Sequence, residues 1–279
     1  MFQQISILGP GLLGASLALA LKGRGLCQRV HVWSRRSETR TQALLTDWCD
    51  ATFNSAPEAC KGSQLVAICT PVETIVPILN QILPTVDKAT LITDVGSTKK
   101  IICEKAKSID LEFNFIGSHP MAGSEKTGMS NAHADLFQDA ACIVTPHEDA
   151  QNMQIERLHK LWAAVGMKVA ITTPQKHDEI VAHISHLPHL IATSLSSYLL
   201  VQDGGWRKLA GGGLRDTTRV ASGDPNLWKQ ILEHNREEVL RAIDGFQSEL
   251  EGFKSALFDE DLSELIARLE RGKCFRDQL

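Results

Sequence analysis

Ile5-Ser6-Ile7-Leu8-Gly9-Pro10-Gly11-Leu12-Leu13-Gly14 decides the fold of this chain. Four residues of strand character run into a G-x-G-x-x-G loop, and Leu12 to Lys22 then carries apolar residues at helical spacing. Strand, glycine loop and helix in that order form the opening of a dinucleotide-binding βα unit. Gly9 permits the tight turn, Gly11 removes the Cβ that would collide with a pyrophosphate, and Gly14 lets helix and strand approach closely. The first helical residues, Leu12 and Leu13, offer free N–H groups to phosphate oxygens.

Downstream of that unit, short apolar runs alternate with amphipathic stretches, the pattern of successive βα units around a mostly parallel sheet. Strands are predicted at Ile5 to Leu8, Val30 to Trp33, Leu65 to Cys69, Thr90 to Thr93, Phe113 to Ile116, Ala141 to Val144 and Lys168 to Ile171. Helices are predicted at Leu12 to Lys22, Glu38 to Cys49, Val72 to Leu83, Lys99 to Ser108 and Asn152 to Val165. After Thr173 strand signals stop, and helices are expected over Pro174 to Leu200, Asp224 to Leu257 and Glu260 to Arg271, with Asp224 as N-cap and Pro225 at the first helical position. The fold class is therefore α/β, a Rossmann-type dinucleotide-binding domain over residues 1–172 followed by an all-helical domain over residues 173–279. Leu227, Ile231, Val239, Ile243, Phe246, Leu250, Phe253 and Leu257 form an apolar stripe suited either to a homodimer interface or to an ordinary bundle core.

The 279 residues are 43% hydrophobic, enough for a sizeable core. A net charge of −4 gives no electrostatic footprint for nucleic acid, and no stretch is long enough to span a membrane. Seven scattered cysteines without a C-x-x-C pair fit a reducing cytoplasm.

The segment about 20 residues beyond the last glycine distinguishes the nicotinamide cofactors, because NAD enzymes place a carboxylate there for the ribose hydroxyl. Here it reads Ser34-Arg35-Arg36. One hydroxyl and two guanidiniums would bind a 2′-phosphate with charge assistance, so NADP is expected over NAD, which stays open as a second cofactor. Thr70 and Pro71, at the carboxyl end of the strand from Leu65, line the same crevice.

Three further segments carry a family likeness: Asp94-Val95-Gly96-Ser97-Thr98-Lys99, Gly117-Ser118-His119-Pro120-Met121-Ala122-Gly123-Ser124-Glu125, and Gly211-Gly212-Gly213-Leu214-Arg215-Asp216-Thr217-Thr218-Arg219. With the glycine loop they resemble the prephenate/arogenate dehydrogenase family of tyrosine biosynthesis, from the N-terminus to about residue 240. The resemblance implies loss of hydride from C4 of a cyclohexadiene and of carbon dioxide from C1. His119 is then the base for the C4 hydroxyl, and Ser97 bonds to it, although Ser97 also stands where an N-cap belongs. Arg219 binds a substrate carboxylate, with Asp216 available to orient it; His177 lies around the substrate site, and His189 at its side-chain end with Ser185 a turn before. Ser34-Arg35-Arg36 looks like the arogenate-selective NADP enzymes, whereas His189 and Glu125 look like members that use prephenate or both. Prephenate is the expected substrate, with arogenate second and an arogenate-specific enzyme as the alternative.

Four histidines between His177 and His189 lack the i, i+4 spacing of a zinc helix, so no metal is expected. A β-hydroxyacid dehydrogenase would require Lys176 as acid/base, and a non-catalytic dinucleotide sensor would need a basic DNA-reading element that the sequence lacks. No regulatory segment fits after Asp259, so tyrosine feedback would act at the active site.

Overall fold

The structure, a computed structural model, describes residues 2–109, 115–123 and 126–279. Eight strands form one sheet: β1 (Phe2–Leu8), β2 (Cys27–Trp33), β3 (Ala51–Phe53), β4 (Leu65–Ile68), β5 (Leu91–Asp94), β6 (Phe115–Pro120), β7 (Ala141–Thr145) and β8 (Lys168–Ile171). Their spatial order is β3-β2-β1-β4-β5-β6-β7-β8. The first six strands are parallel, the doubly wound order with its switch point between β1 and β4. β7 turns back antiparallel against β6, pairing Ile143 with His119.

Helices cover both faces, as the near-continuous burial of β1, β4, β5 and β6 requires. α1 (Leu12–Gly23) and α6 (Asn152–Ala164) pack Leu17, Leu21, Leu158 and Trp162 on one side. On the other, α3 (Ala56–Cys60), α4 (Val72–Ile82) and α5 (Lys100–Ile109) contribute Ala59, Ile75, Leu79 and Ile102. The sequence pattern finds seven of these strands but not β3, whose three residues carry no apolar run. α2 (Ser37–Leu44) stops five residues short of its expected end at Cys49. Phe113, at the expected start of β6, lies outside the described residues; the described strand instead continues through His119, so that histidine is held in the sheet rather than in a loop.

The helical part comprises α7 (Pro174–Val181), α8 (Leu187–Leu200), α9 (Gly212–Thr218), α10 (Pro225–His234), α11 (Arg236–Phe258) and α12 (Leu262–Arg276). A π-turn, Ala182–His186, joins α7 to α8, and the Leu187 N–H reaches back to the Ala182 carbonyl. Pro188 explains it: proline has no N–H for the carbonyl of Ile184, and its ring would strike that carbonyl in a regular helix. Asp224 caps α10 through the Asn226 N–H at 2.8 Å. The expected single helix from Asp224 to Leu257 is broken at Asn235, whose buried amide donates to the Asp178 carbonyl at 2.7 Å and to His186 Nδ1 at 3.2 Å.

Among the described residues the buried apolar cluster of this half is small, Ala182, Val239 and Ala242, with Leu187, Leu190, Leu232 and Ile243 packed partly buried against it. Tyr198, Leu250, Leu257, Ile266 and Leu269 remain more than half exposed. The chain presents 15273 Å² to solvent, against about 11,900 Å² for a compact monomer of its mass. No helix among the described residues is long and apolar enough to cross a membrane.

Candidate active site

The glycine loop at the β1 end matches the needs of a dinucleotide pyrophosphate. Gly9 sits at φ +94, and a Cβ there would lie 2.7 Å from Thr70 Cγ2; one on Gly14 would lie 2.4 Å from the Gly9 carbonyl oxygen. A Cβ on Gly11 meets nothing within 4 Å, and no side chain caps the N-terminus of α1. The cradle is thus open where phosphates need room, and the N–H groups of Leu12, Leu13 and Gly14 face it unclaimed by the helix. Thr70 accepts a hydrogen bond from Thr74 at 2.8 Å, and Pro71 immediately precedes α4.

At the end of β2, Arg40 donates to the carbonyl of Ser34 at 2.7 Å and to Asn54 Oδ1 at 2.9 Å, pinning the loop. Ser34 Oγ accepts from the Arg36 N–H at 3.3 Å. Arg35 and Arg36 are exposed, and neither guanidinium is in a hydrogen bond or ion pair among the described residues. Two such cations beside a free hydroxyl proton suit a dianionic phosphate.

The second centre lies at the end of β6. Asp94 accepts from the N–H of Gly96 at 2.8 Å and of Ser118 at 3.2 Å, and pairs with the Lys99 ammonium, both side chains being wholly enclosed. This pair ties the β5–α5 turn, which carries Ser97, to the strand carrying His119. His119 is buried; its Nδ1 stands 2.9 Å from His177 Nε2, and His177 Nδ1 stands 2.7 Å from Asp178 Oδ1. Burial, then His177, Lys99 and His186, hold His119 well below the usual histidine range, so the ring is neutral near neutral pH.

His189 stacks on Trp228, with ring centroids 3.5 Å apart and planes 6° from parallel. The turn Arg219–Ser222 packs against α8, which places Arg219 close to that stack. In an unbroken helix, His177 and His189 would point about 120° apart; the extra residue taken up by the π-turn brings them within about 20°. His177, His186 and His189 are accordingly buried, and His183 is exposed.

The family model for the prephenate dehydrogenase nucleotide-binding domain matches residues 17–171, and that for the prephenate dehydrogenase dimerization domain matches residues 173–271. The chain belongs to the prephenate dehydrogenase family. It is therefore an NAD(P)-dependent oxidoreductase. Prephenate dehydrogenase of Bacillus subtilis is 33% identical over 285 residues, covering 99% of this chain and 76% of the relative. The crystal structure of prephenate dehydrogenase from A. aeolicus in complex with hydroxyphenyl propionate and NAD+ superposes with a TM-score of 0.92 at 28% identity, covering 100% of this chain and 98% of that one. Synechocystis arogenate dehydrogenase gives 0.86 at 30% identity over 99% of each chain.

Not every residue implied by the family pattern takes its expected partner. The Ser97 hydroxyl makes no hydrogen bond among the described residues, and His119 pairs with His177 instead. Ser97 does not cap α5 either, because Asp178 takes that role by accepting from the N–H groups of Lys99 and Lys100. Asp216 and Arg219 are both exposed and no ion pair joins them, since Asp216 lies on α9 and Arg219 already begins the next turn. Ser185 is half-buried on the π-turn, and Glu125 lies outside the described residues. Lys176, the acid/base that a β-hydroxyacid dehydrogenase would require, is exposed and paired with Glu179 at 2.5 Å. Sequence reasoning missed Asp178, Trp228 and Asn235. Only Asp178 left a signal, as the neighbour of a histidine assigned to the site.

Proposed function

We propose that the chain is a homodimeric cytoplasmic enzyme that oxidatively decarboxylates prephenate to 4-hydroxyphenylpyruvate with NADP, accepting arogenate as a second substrate. In this reading residues 1–172 form the dinucleotide-binding domain and residues 173–279 the helical substrate and dimerisation domain. The observation that carries it is His119: a buried, neutral imidazole whose Nε2 has no partner among the described residues.

NADP supplies the acceptor for the hydride leaving substrate C4. His119 Nε2 accepts the proton of the C4 hydroxyl as carbonyl character develops there, and neutrality near pH 7 fits it for that task. Arg219 receives a substrate carboxylate through its planar fork. His189, fixed by Trp228, and His177 border the ring on the side of the helical domain, while Ser97 faces the cofactor and substrate from the β5–α5 turn. Loss of carbon dioxide from C1 then completes an aromatic phenol.

That neither Arg35 nor Arg36 has a hydrogen bond or ion pair among the described residues supports NADP, and the absence of a carboxylate in Ser34-Arg35-Arg36 supports it further. The sparse helical core and the exposed apolar side chains support the dimer. The likeness to an arogenate dehydrogenase supports arogenate as the second diene.

Absorbance of reduced cofactor, followed with prephenate and then arogenate, each against NADP and NAD, tests the whole reading. The expected order has prephenate with NADP highest. Equal efficiency with NAD refutes the cofactor assignment, and no turnover of either diene refutes the reaction.

A further inference from the structure

Asp178 joins three parts of the molecule. Its Oδ1 accepts from the Lys99 N–H at 2.7 Å and its Oδ2 from the Lys100 N–H at 3.1 Å, both at the N-terminus of α5, and Oδ1 also lies 2.7 Å from His177 Nδ1. Backbone N–H groups can only donate, so both carboxylate oxygens are committed as acceptors. The ring nitrogen facing Oδ1 must then carry the hydrogen, and His177 donates from Nδ1.

A neutral imidazole carries one hydrogen, so Nε2 of His177 is a lone pair. It lies 2.9 Å from His119 Nδ1, which must therefore donate. The remaining lone pair of His119 falls at Nε2, which has no partner among the described residues. One carboxylate thus sets the tautomers of two rings in series. The other charged or titratable groups around the pair are Lys99 and Asp94 from the β5–α5 segment and His186 from the π-turn.

We propose that Asp178 is a positioning residue of the reaction: it holds His177, and through it His119, in the tautomer that leaves His119 Nε2 free to take the substrate's hydroxyl proton. The inference rests on the reading of His119 as the base. The proton passes from the C4 hydroxyl to His119 Nε2, and none has to travel along the chain. The imidazolium so formed keeps donating from Nδ1 to His177, whose polarity is fixed by the carboxylate behind it.

Asp178→Ala removes the acceptor that orders the two rings, together with the α5 cap. An amide would not do so: Oδ1 serves both the Lys99 N–H and His177 while Oδ2 serves the Lys100 N–H, so Asn would keep its oxygen toward His177 and leave the order intact. With alanine nothing holds the hydrogen on His177 Nδ1, and a hydrogen appears on His119 Nε2. A reversed tautomer of this kind costs about 10⁴-fold in kcat in a Ser-His-Asp triad, and a loss of about 10²- to 10⁴-fold is expected here. NADP affinity, measured by calorimetry, stays unchanged, and nitrogen NMR of the histidine rings reports the tautomers directly.

A folded Asp178→Ala protein with wild-type kcat, beside an inactive His119→Asn protein, overturns the positioning role and leaves the base role standing. Full activity in both variants removes both. Should Asp178→Ala fail to fold, the wild-type spectrum decides: a hydrogen on His119 Nε2 overturns the proposal, and a bare Nε2 with protonated Nδ1 supports it.

Discussion

His186 makes the protein acid-labile by an amount that can be worked out in advance. The side chain is 1% exposed, its Nδ1 faces the Asn235 amide, its Nε2 has no partner, and its ring meets Trp228 edge-on. Burial pushes it down from the ordinary 6.5 to about 4, with Asp178 opposing and His177 and His189 assisting the shift. The unfolded chain binds this proton near pH 6.5, whereas the folded chain refuses it until about pH 4. Between those values the unfolded state holds more protons, so stability present above pH 6.5 is lost as pH falls through 4. That interval is worth about 3 kcal/mol for this one residue, a large share of an ordinary domain's stability. His119, His177 and His189 are also depressed and act in the same direction.

The perturbation is His186→Gln, which keeps an acceptor for Asn235 and has no proton to titrate. Urea unfolding of both proteins, at one protein concentration and at pH about 7 and about 4, gives the difference. The wild type is expected to lose about 3 kcal/mol more than the variant across that range, because the carboxylates common to both cancel. Equal losses in the two proteins would show that His186 is not held neutral by its surroundings.

Replacing Arg35 and Arg36 together with Ala is expected to raise KM for NADP by about 10- to 100-fold, as charge-assisted bonds of about 1.5–3 kcal/mol predict, with KM for NAD unmoved; an unchanged KM for NADP refutes the assignment. Arg219→Ala is expected to raise KM for prephenate by a similar factor while kcat changes little, and steady-state kinetics at saturating cofactor read the split. A fall in kcat alone would place Arg219 outside the ground-state contacts. Leu250→Asp, on the exposed apolar side of α11, is expected to convert dimer to monomer in sedimentation analysis; an unaffected dimer locates the interface elsewhere.

The glycine loop, the parallel strands and the helical second half were legible because each rests on a local pattern: a glycine spacing, an apolar run, a period of 3.6. Gly9, His119 and Arg219 could be picked out in the same way, since they sit in contiguous motifs. What stayed hidden depends on contacts between distant segments. The partner of His119 is 58 residues away in sequence, and the cap of α5 comes from α7 rather than from Ser97 at its own threshold. The helix break at Asn235 follows from that residue's tether to Asp178 and His186, which no helical period encodes. The π-turn is an intermediate case: Pro188 announces a disturbance, but its phase depends on the carbonyls of the folded helix.

The contact between Asp178 and the first N–H groups of α5 also fastens the helical half of the chain to the nucleotide-binding half. Asp178 is buried, so parting the two halves there would leave a carboxylate and two backbone N–H groups without partners and away from water. The seam between α7 and α5 therefore resists slippage, and the same carboxylate that orders His177 also keeps the two halves in register.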